Sequence, residues 1–372
     1  MEFTGIILVK SPPRCYYRKL IRCESIRGIQ KHPCDSSESA VMREAISPYS
    51  RGRKTWRSTL RVATLAGAVA FAAFRLVDST LAADNKVIGA TVLSLQYPYL
   101  VAVSEAMKAE AAKEGLGLIS LDSERSVMTE RSHVETLIKS KVDLIIMTPT
   151  DQATSQAAAR LVNKAGIPLL LLETKFNNDF KSDGGKFAAF VGSDNTVAGE
   201  IEGRYLADQL PAGGNVVYLA IEYGRSATEL RKAGFESVIK DHPNLEIVAE
   251  LQGYASRVKG KTIMETLLEK YGKGQLQALV AENDEMAIGA SSAIQAADRL
   301  GEFKVLIGVN GSKAGLDAVA AGTLTATVFQ DAVLKGTQIV VAAGKILAGG
   351  TVEPEFLSPF TLVTKENVSS FR

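Results

Sequence analysis

The chain has 372 residues, 46% hydrophobic and 23% charged, a balance that fits a soluble α/β protein with room for a leader and two domains. Its net charge of +2 is unevenly spread: residues 1–82 hold 14 Lys/Arg against 6 Asp/Glu and the rest holds 29 against 35, so the body is acidic, which argues against nucleic acid as a partner. All three cysteines, Cys15, Cys23 and Cys34, fall in the first 41 residues, which leaves the body without a disulfide, a thiolate nucleophile or a cysteine metal site.

Residues 1–41 are short, mixed and irregular, and the cysteine spacings match no usual zinc pattern. They read as an upstream extension, unstructured, with Met1 or Met42 as the true start. Residues 42–82 read as a secretory signal. Basic residues from Arg51 to Arg61 precede Val62–Phe74, a run of 13 residues without a charge that is too short for an ordinary membrane span. Thr80-Leu81-Ala82 then offers a small-x-small cleavage site. No cysteine follows for a lipid anchor, and no Arg-Arg pair precedes, which favours a Sec-type signal.

From Lys86 the pattern alternates strand and helix. Strands are predicted at 87–92, 116–121, 144–147, 169–172 and 187–191, with helices over 98–114, 127–139 and up to Ala165. Residues 174–186 are polar and loop-like. The cycle restarts with helices at 198–209, 227–240 and 259–270 and strands at 216–220 and 247–251. Apolar runs at 279–281, 305–309 and 326–329 end in Asn283, Asn310 and Gln330, and 332–347 and 360–363 form a last helix and strand. Such alternation predicts parallel sheets covered on both faces, in two similar lobes. Ligands bind at the carboxyl ends of strands in such sheets, and an amide there both donates and accepts, as a hydroxyl-rich ligand requires.

Catalysis finds little support. Of three histidines, His32 lies in the extension, His133 sits mid-helix among charges and His242 precedes Pro243 in a turn. There is no His-Glu-x-x-His, Gly-x-Ser-x-Gly, Walker or Gly-x-Gly-x-x-Gly motif, and no acid, base or nucleophile with a placed partner. No metal or cofactor site is read.

Several stretches together carry a resemblance: Thr148-Pro149-Thr150-Asp151, Gly192-Ser193-Asp194-Asn195, Arg231-Lys232-Ala233-Gly234-Phe235, Asn283-Asp284-Glu285-Met286-Ala287 and the segment from Gly322 to Gln330. From Lys86 to about Val363 the chain resembles the periplasmic sugar-binding proteins of ABC transporters, the ribose-type group, which shares its fold with LacI-type repressors. The resemblance implies two Rossmann-like lobes joined by a three-strand hinge, residues 84–192 with 331–359 in the first and 193–330 with 360–372 in the second. It also implies ligand contacts at Tyr97 and Tyr99, from a motif Tyr97-Pro98-Tyr99-Leu100 that keeps one of the family's two aromatics and has Tyr97 at the family's Asn, a residue lost unless Gln96 replaces it. Glu173 and Thr174 stand in place of an Asp-Arg pair. Arg231, an aromatic near Tyr254, Asn283, Asn310 in place of Asp, and Gln330 complete the set.

With the family's bidentate Arg and one carboxylate replaced, the resemblance implies a sugar or polyol other than ribose. Glu173 facing Arg231 across the cleft would favour a neutral ligand. The implied protein is a monomeric, non-enzymatic solute-binding subunit in the periplasm, delivering its ligand to an inner-membrane ABC permease. The alternatives are a sensor feeding a chemoreceptor, for a sugar-like signal such as an autoinducer, and a LacI-like regulator, which would need a helix-turn-helix before residue 86.

Overall fold

The computed structural model describes residues 86–372. The expected extension, the secretory segment with its cleavage near Ala82, and the three cysteines lie outside the described residues.

Two six-stranded sheets organise the chain. The first holds β1 (Val87–Val92), β2 (Gly117–Asp122), β3 (Leu144–Met147), β4 (Leu169–Leu172), β5 (Ala189–Gly192) and β11 (Glu355–Leu357), in the order β11-β5-β4-β3-β1-β2. The second holds β6 (Gly214–Ala220), β7 (Leu245–Gln252), β8 (Ala278–Ala281), β9 (Val305–Asn310), β10 (Ala326–Gln330) and β12 (Phe360–Thr364), in the order β12-β10-β9-β8-β6-β7. All pairings are parallel except β10 with β12. The chain passes between the sheets after β5, after β10 and after β11.

Each central strand is apolar on both faces because helices cover both. In β3, Leu144 and Ile146 pack with α1 (Pro98–Lys113) and α10 (Ala332–Leu347), while Ile145 and Met147 pack with α2 (Val127–Lys139) and α3 (Gln156–Lys164). This alternation follows from the two-residue period of a strand. In the second sheet, Val280 faces α5 (Asn195–Gln209) and α6 (Ser226–Ile239). Leu279 and Ala281 face α7 (Arg257–Lys270), α8 (Asp284–Ala296) and α9 (Lys313–Ala321). A short α4 (Asn178–Ser182) interrupts the stretch expected to be loop. Helix α9 and strand β11 are further elements that the periodicity did not predict.

Several helices start where a side chain caps them. Ser126 accepts from Thr129 N at 3.2 Å, Asn283 from Met286 N at 3.0 Å and Asp331 from Leu334 N at 2.8 Å. Helices α5 and α6 cross so closely that a Cβ on Gly199 would lie 1.8 Å from the Arg231 carbonyl oxygen. A Cβ on Gly336 would lie 2.6 Å from the Val103 carbonyl oxygen where α10 meets α1. These approaches set the depth of Arg231 and of Lys335, the residue before Gly336.

Candidate ligand-binding site

The carboxyl ends of both sheets face a shared cavity of about 110 Å³. Eight of the expected ligand residues line it: Tyr97, Tyr99, Glu173, Thr174, Arg231, Asn283, Asn310 and Gln330. Gln96 and Tyr254 do not. They line a separate depression of about 460 Å³ at the rim. Tyr254 is held in a left-handed conformation (φ 54°) with its N–H on the Ile221 carbonyl at 2.9 Å, and its ring is 40% exposed; the next residue, Ala255, reaches the cavity instead.

The first lobe contributes an ionic cluster. Glu173 follows β4 with φ 63°. Its Oε1 accepts from the Tyr99 hydroxyl at 2.8 Å. Lys335, on α10 and 0% exposed, places its Nζ 3.1 Å from Oε1 and 3.2 Å from Oε2. The same ammonium donates to Gln330 Oε1 at 2.7 Å and lies 5.4 Å from the centre of the Tyr99 ring. Burial lowers the lysine's pKa, and the facing Glu173 carboxylate opposes that shift. Burial and the same carboxylate push the Tyr99 phenol well above its usual value, so it stays a hydrogen-bond donor.

The second lobe contributes amides and a guanidinium. Arg231 is 4% exposed; its Nε donates to Asn195 Oδ1 at 2.9 Å and its Nη1 to the Glu282 carbonyl oxygen. Gln330 Nε2 donates to Asn310 Oδ1 at 2.7 Å. Asn310 ends β9 at φ 118°, a strained conformation for a residue other than glycine. Two buried carboxyls flank Asn283. Glu282 accepts from the Tyr218 hydroxyl at 3.0 Å and Ile221 N at 2.7 Å; Asp284 accepts from Thr327 Oγ1 at 2.6 Å and Ser312 N at 2.7 Å. Burial pushes Glu282 up to about 7 and Asp284 up to about 6.

The counter-ion of Glu173 is therefore Lys335, in its own lobe, and not Arg231 across the cleft as the sequence pattern suggested. Glu173 and Arg231 nonetheless line the same cavity from the two lobes, as expected, with Lys335 as a further cation bound to Glu173. Sequence reasoning also passed over Arg225, which lines the cavity from the start of α6. Lys335 carried a signal: it shares the apolar face of 332–347 with Ile339 and Val340, where a charge needs a buried partner. At the cleft mouth the lobes touch directly. Arg125 Nη2 lies 3.2 Å from Glu222 Oε2, and Arg225 Nη1 donates to the Thr150 carbonyl at 3.0 Å. Among the described residues no cluster of His, Cys, Asp or Glu could hold a metal ion.

The model of the periplasmic binding protein domain family matches residues 88–351. The chain belongs to this family. It is of the ribose type: it is 33% identical over 279 residues to the ribose import binding protein of Bacillus subtilis, covering 75% of this chain and 87% of that one. The ribose import binding protein of Escherichia coli is 31% identical over 306 residues, 82% of this chain and 99% of the relative. A solved ABC transporter solute-binding protein from Bacillus halodurans, with bound myo-inositol, superposes with a TM-score of 0.72 at 32% identity, covering 77% of this chain and 97% of that one. Members of the family are thus solute-binding components of transporters, and the sugars they hold differ from one to the next.

Proposed function

We propose that this protein is the periplasmic solute-binding subunit of an ABC importer and takes a sugar or polyol, other than ribose, into the cavity between its two lobes. The observation that carries this reading is the convergence of Tyr99 and Glu173 from one sheet with Arg231, Asn283 and Asn310 from the other on one small cavity. Polar groups that meet a ligand from both sides favour the closed arrangement by their differential contacts. In this reading residues 84–192 and 331–359 move as one body, and 193–330 and 360–372 as the other, about the three crossings. The monomer is exported by its signal segment and hands its ligand to a permease without covalent chemistry.

A thermal-shift screen of the purified protein against pentoses, hexoses, polyols, inositols and sugar acids tests this. A ligand that binds only the folded state raises the melting temperature by mass action. One compound class should give a clear rise that Arg231→Ala abolishes. No rise across the panel would sink the reading.

A further inference from the structure

The hydrogen bonds inside the protein determine which atoms remain for a ligand. Asn283 uses Oδ1 as the cap acceptor for Met286 N, so only its Nδ2 is left to serve the cavity. Asn195, which also lines the cavity, uses Oδ1 to accept from Arg231 Nε, a group that can only donate. The third amide is oriented through a relay. Lys335 can only donate, so Gln330 must turn its Oε1 to the ammonium and its Nε2 to Asn310. Asn310 must then accept with Oδ1, which leaves its Nδ2 for the ligand. Arg231 adds a guanidinium nitrogen, Nη2, that has no partner among the described residues. These assignments follow from donor and acceptor chemistry and not from the placing of oxygen against nitrogen.

The acceptor side is sparse. Oε1 of Glu173 is used by Tyr99 and Lys335, and Oε2 by Lys335 alone, which leaves one open lone pair. Further acceptors are hydroxyls, at Thr148, Thr174 and Tyr97, and at Thr228, whose Oγ1 already accepts from Glu222 N at 3.3 Å. A hydroxyl placed among the three amides and the guanidinium would accept readily, but its own proton would lack a strong acceptor. A carboxylate has no such proton, accepts at both oxygens, and takes charge-assisted bonds from a guanidinium.

We propose that the ligand is a sugar acid, an aldonate or uronate, whose carboxylate lies against Asn195, Asn283, Asn310 and Arg231 while a hydroxyl donates to Glu173. This rests on the solute-binding reading above and names the ligand class for the same cavity. Lys335 is the positioning residue: it neutralises Glu173 and, through Gln330, makes Asn310 a donor.

Matched pairs test it by titration calorimetry on the purified protein: gluconate against glucitol, galacturonate against galactose, ribonate against ribitol. The acid of the best pair should bind roughly 10- to 100-fold more tightly than its neutral partner, the size expected for one or two charge-assisted bonds. Asn283→Asp keeps the helix cap and replaces Nδ2 by an anionic oxygen; Asn310→Asp keeps the acceptor for Gln330 Nε2 and makes the same replacement at the end of the relay. Each should remove most of the acid preference while the neutral partner holds or gains. Equal or tighter binding of the neutral partner in every pair overturns the proposal and leaves the solute-binding reading standing. An acid preference that both variants leave intact overturns the placement of the carboxylate. No binding by any member of any pair, or by the wider panel, overturns the solute-binding reading itself.

Discussion

The two sheets order their strands alike, yet they furnish the cleft by different means. In the first lobe the polar groups lean on one another: Tyr99, Glu173 and Lys335 form a buried cluster that also holds Gln330. In the second, Asn310 and Gln330 are tied to that cluster, but the stretch from Glu282 to Asp284 is anchored in the backbone. Asn283 caps α8, and Glu282 and Asp284 on either side bind the N–H groups of Ile221 and Ser312. A coupled cluster is fragile, because removing one charge strands another. A modular set should tolerate single changes at the level of folding and register them in ligand binding.

Lys335→Met breaks the comparison most severely. It leaves Glu173 partly buried without its counter-ion, and loss of one partner of a buried pair costs about 3–5 kcal/mol. Denaturant unfolding should show that loss, and Lys335→Met with Glu173→Gln should recover most of it. Asn283→Ser, which keeps a cap acceptor and adds no buried charge, should unfold much like the parent. If Lys335→Met were as stable as the parent, the cluster would not be coupled in this way.

The modular half was also the more legible in the sequence. Asn283, Asn310 and Gln330 stand directly after apolar runs, so the strand period alone places them at one sheet edge. The runs at 144–147 and 169–172 and the helices at 127–139 and 332–347 have the predicted bounds, because four contiguous apolar residues or a Ser/Asp cap mark them sharply. Lys335 escaped notice because its partner lies 162 residues earlier and meets it only through the packing of α10 on α1. Helix α9 escaped because Asn310-Gly311-Ser312 looks like a closing turn; Ser312 is in fact its cap, accepting from Gly315 N at 3.1 Å. Strand β11 is three residues long and largely exposed, which leaves no pattern to read.

Acidity sharpens the comparison at an intermediate size, because both lobes bury carboxyls. Burial pushes Glu130 of the first lobe above the usual carboxylate range to about 7, although it accepts from Thr150 N at 3.1 Å and from the Ser155 hydroxyl. Glu282 reaches about 7 and Asp284 about 6 in the second. Each folded value lies above the unfolded one, so the folded state binds the proton more tightly. This contribution to stability is fully present below about pH 4 and is lost as pH rises through about 6 to 7. Glu130→Gln can keep its oxygen as acceptor for Thr150 N and turn its Nε2 to donate to Ser155 Oγ, so both contacts survive without the charge. It should match the parent near pH 4 and exceed it near pH 8 by on the order of 2–3 kcal/mol, with the remaining slope left to Glu202, Glu282 and Asp284, which burial also pushes up. Unfolding curves across that range check it; parallel curves for parent and variant would rule out Glu130 as a contributor.

The smallest expected effect lies where the two halves meet. Arg125 of the first lobe reaches Glu222 of the second at 3.2 Å, and its guanidinium lies 5.9 Å from the centre of the Tyr254 ring. Both charged side chains keep about 30% of their surface in solvent, at 29% and 30%, so the pair is worth only about 0.5 kcal/mol. It exists only while the lobes are together, and that small energy belongs wholly to closure. Arg125→Gln should therefore leave unfolding unchanged and weaken ligand binding about two- to threefold, with most of the loss in a faster off-rate. Because salt screens a half-exposed pair, the difference between parent and variant should shrink as ionic strength rises. A variant whose deficit is the same at low and high salt would mean that the mouth closes by packing and not by charge.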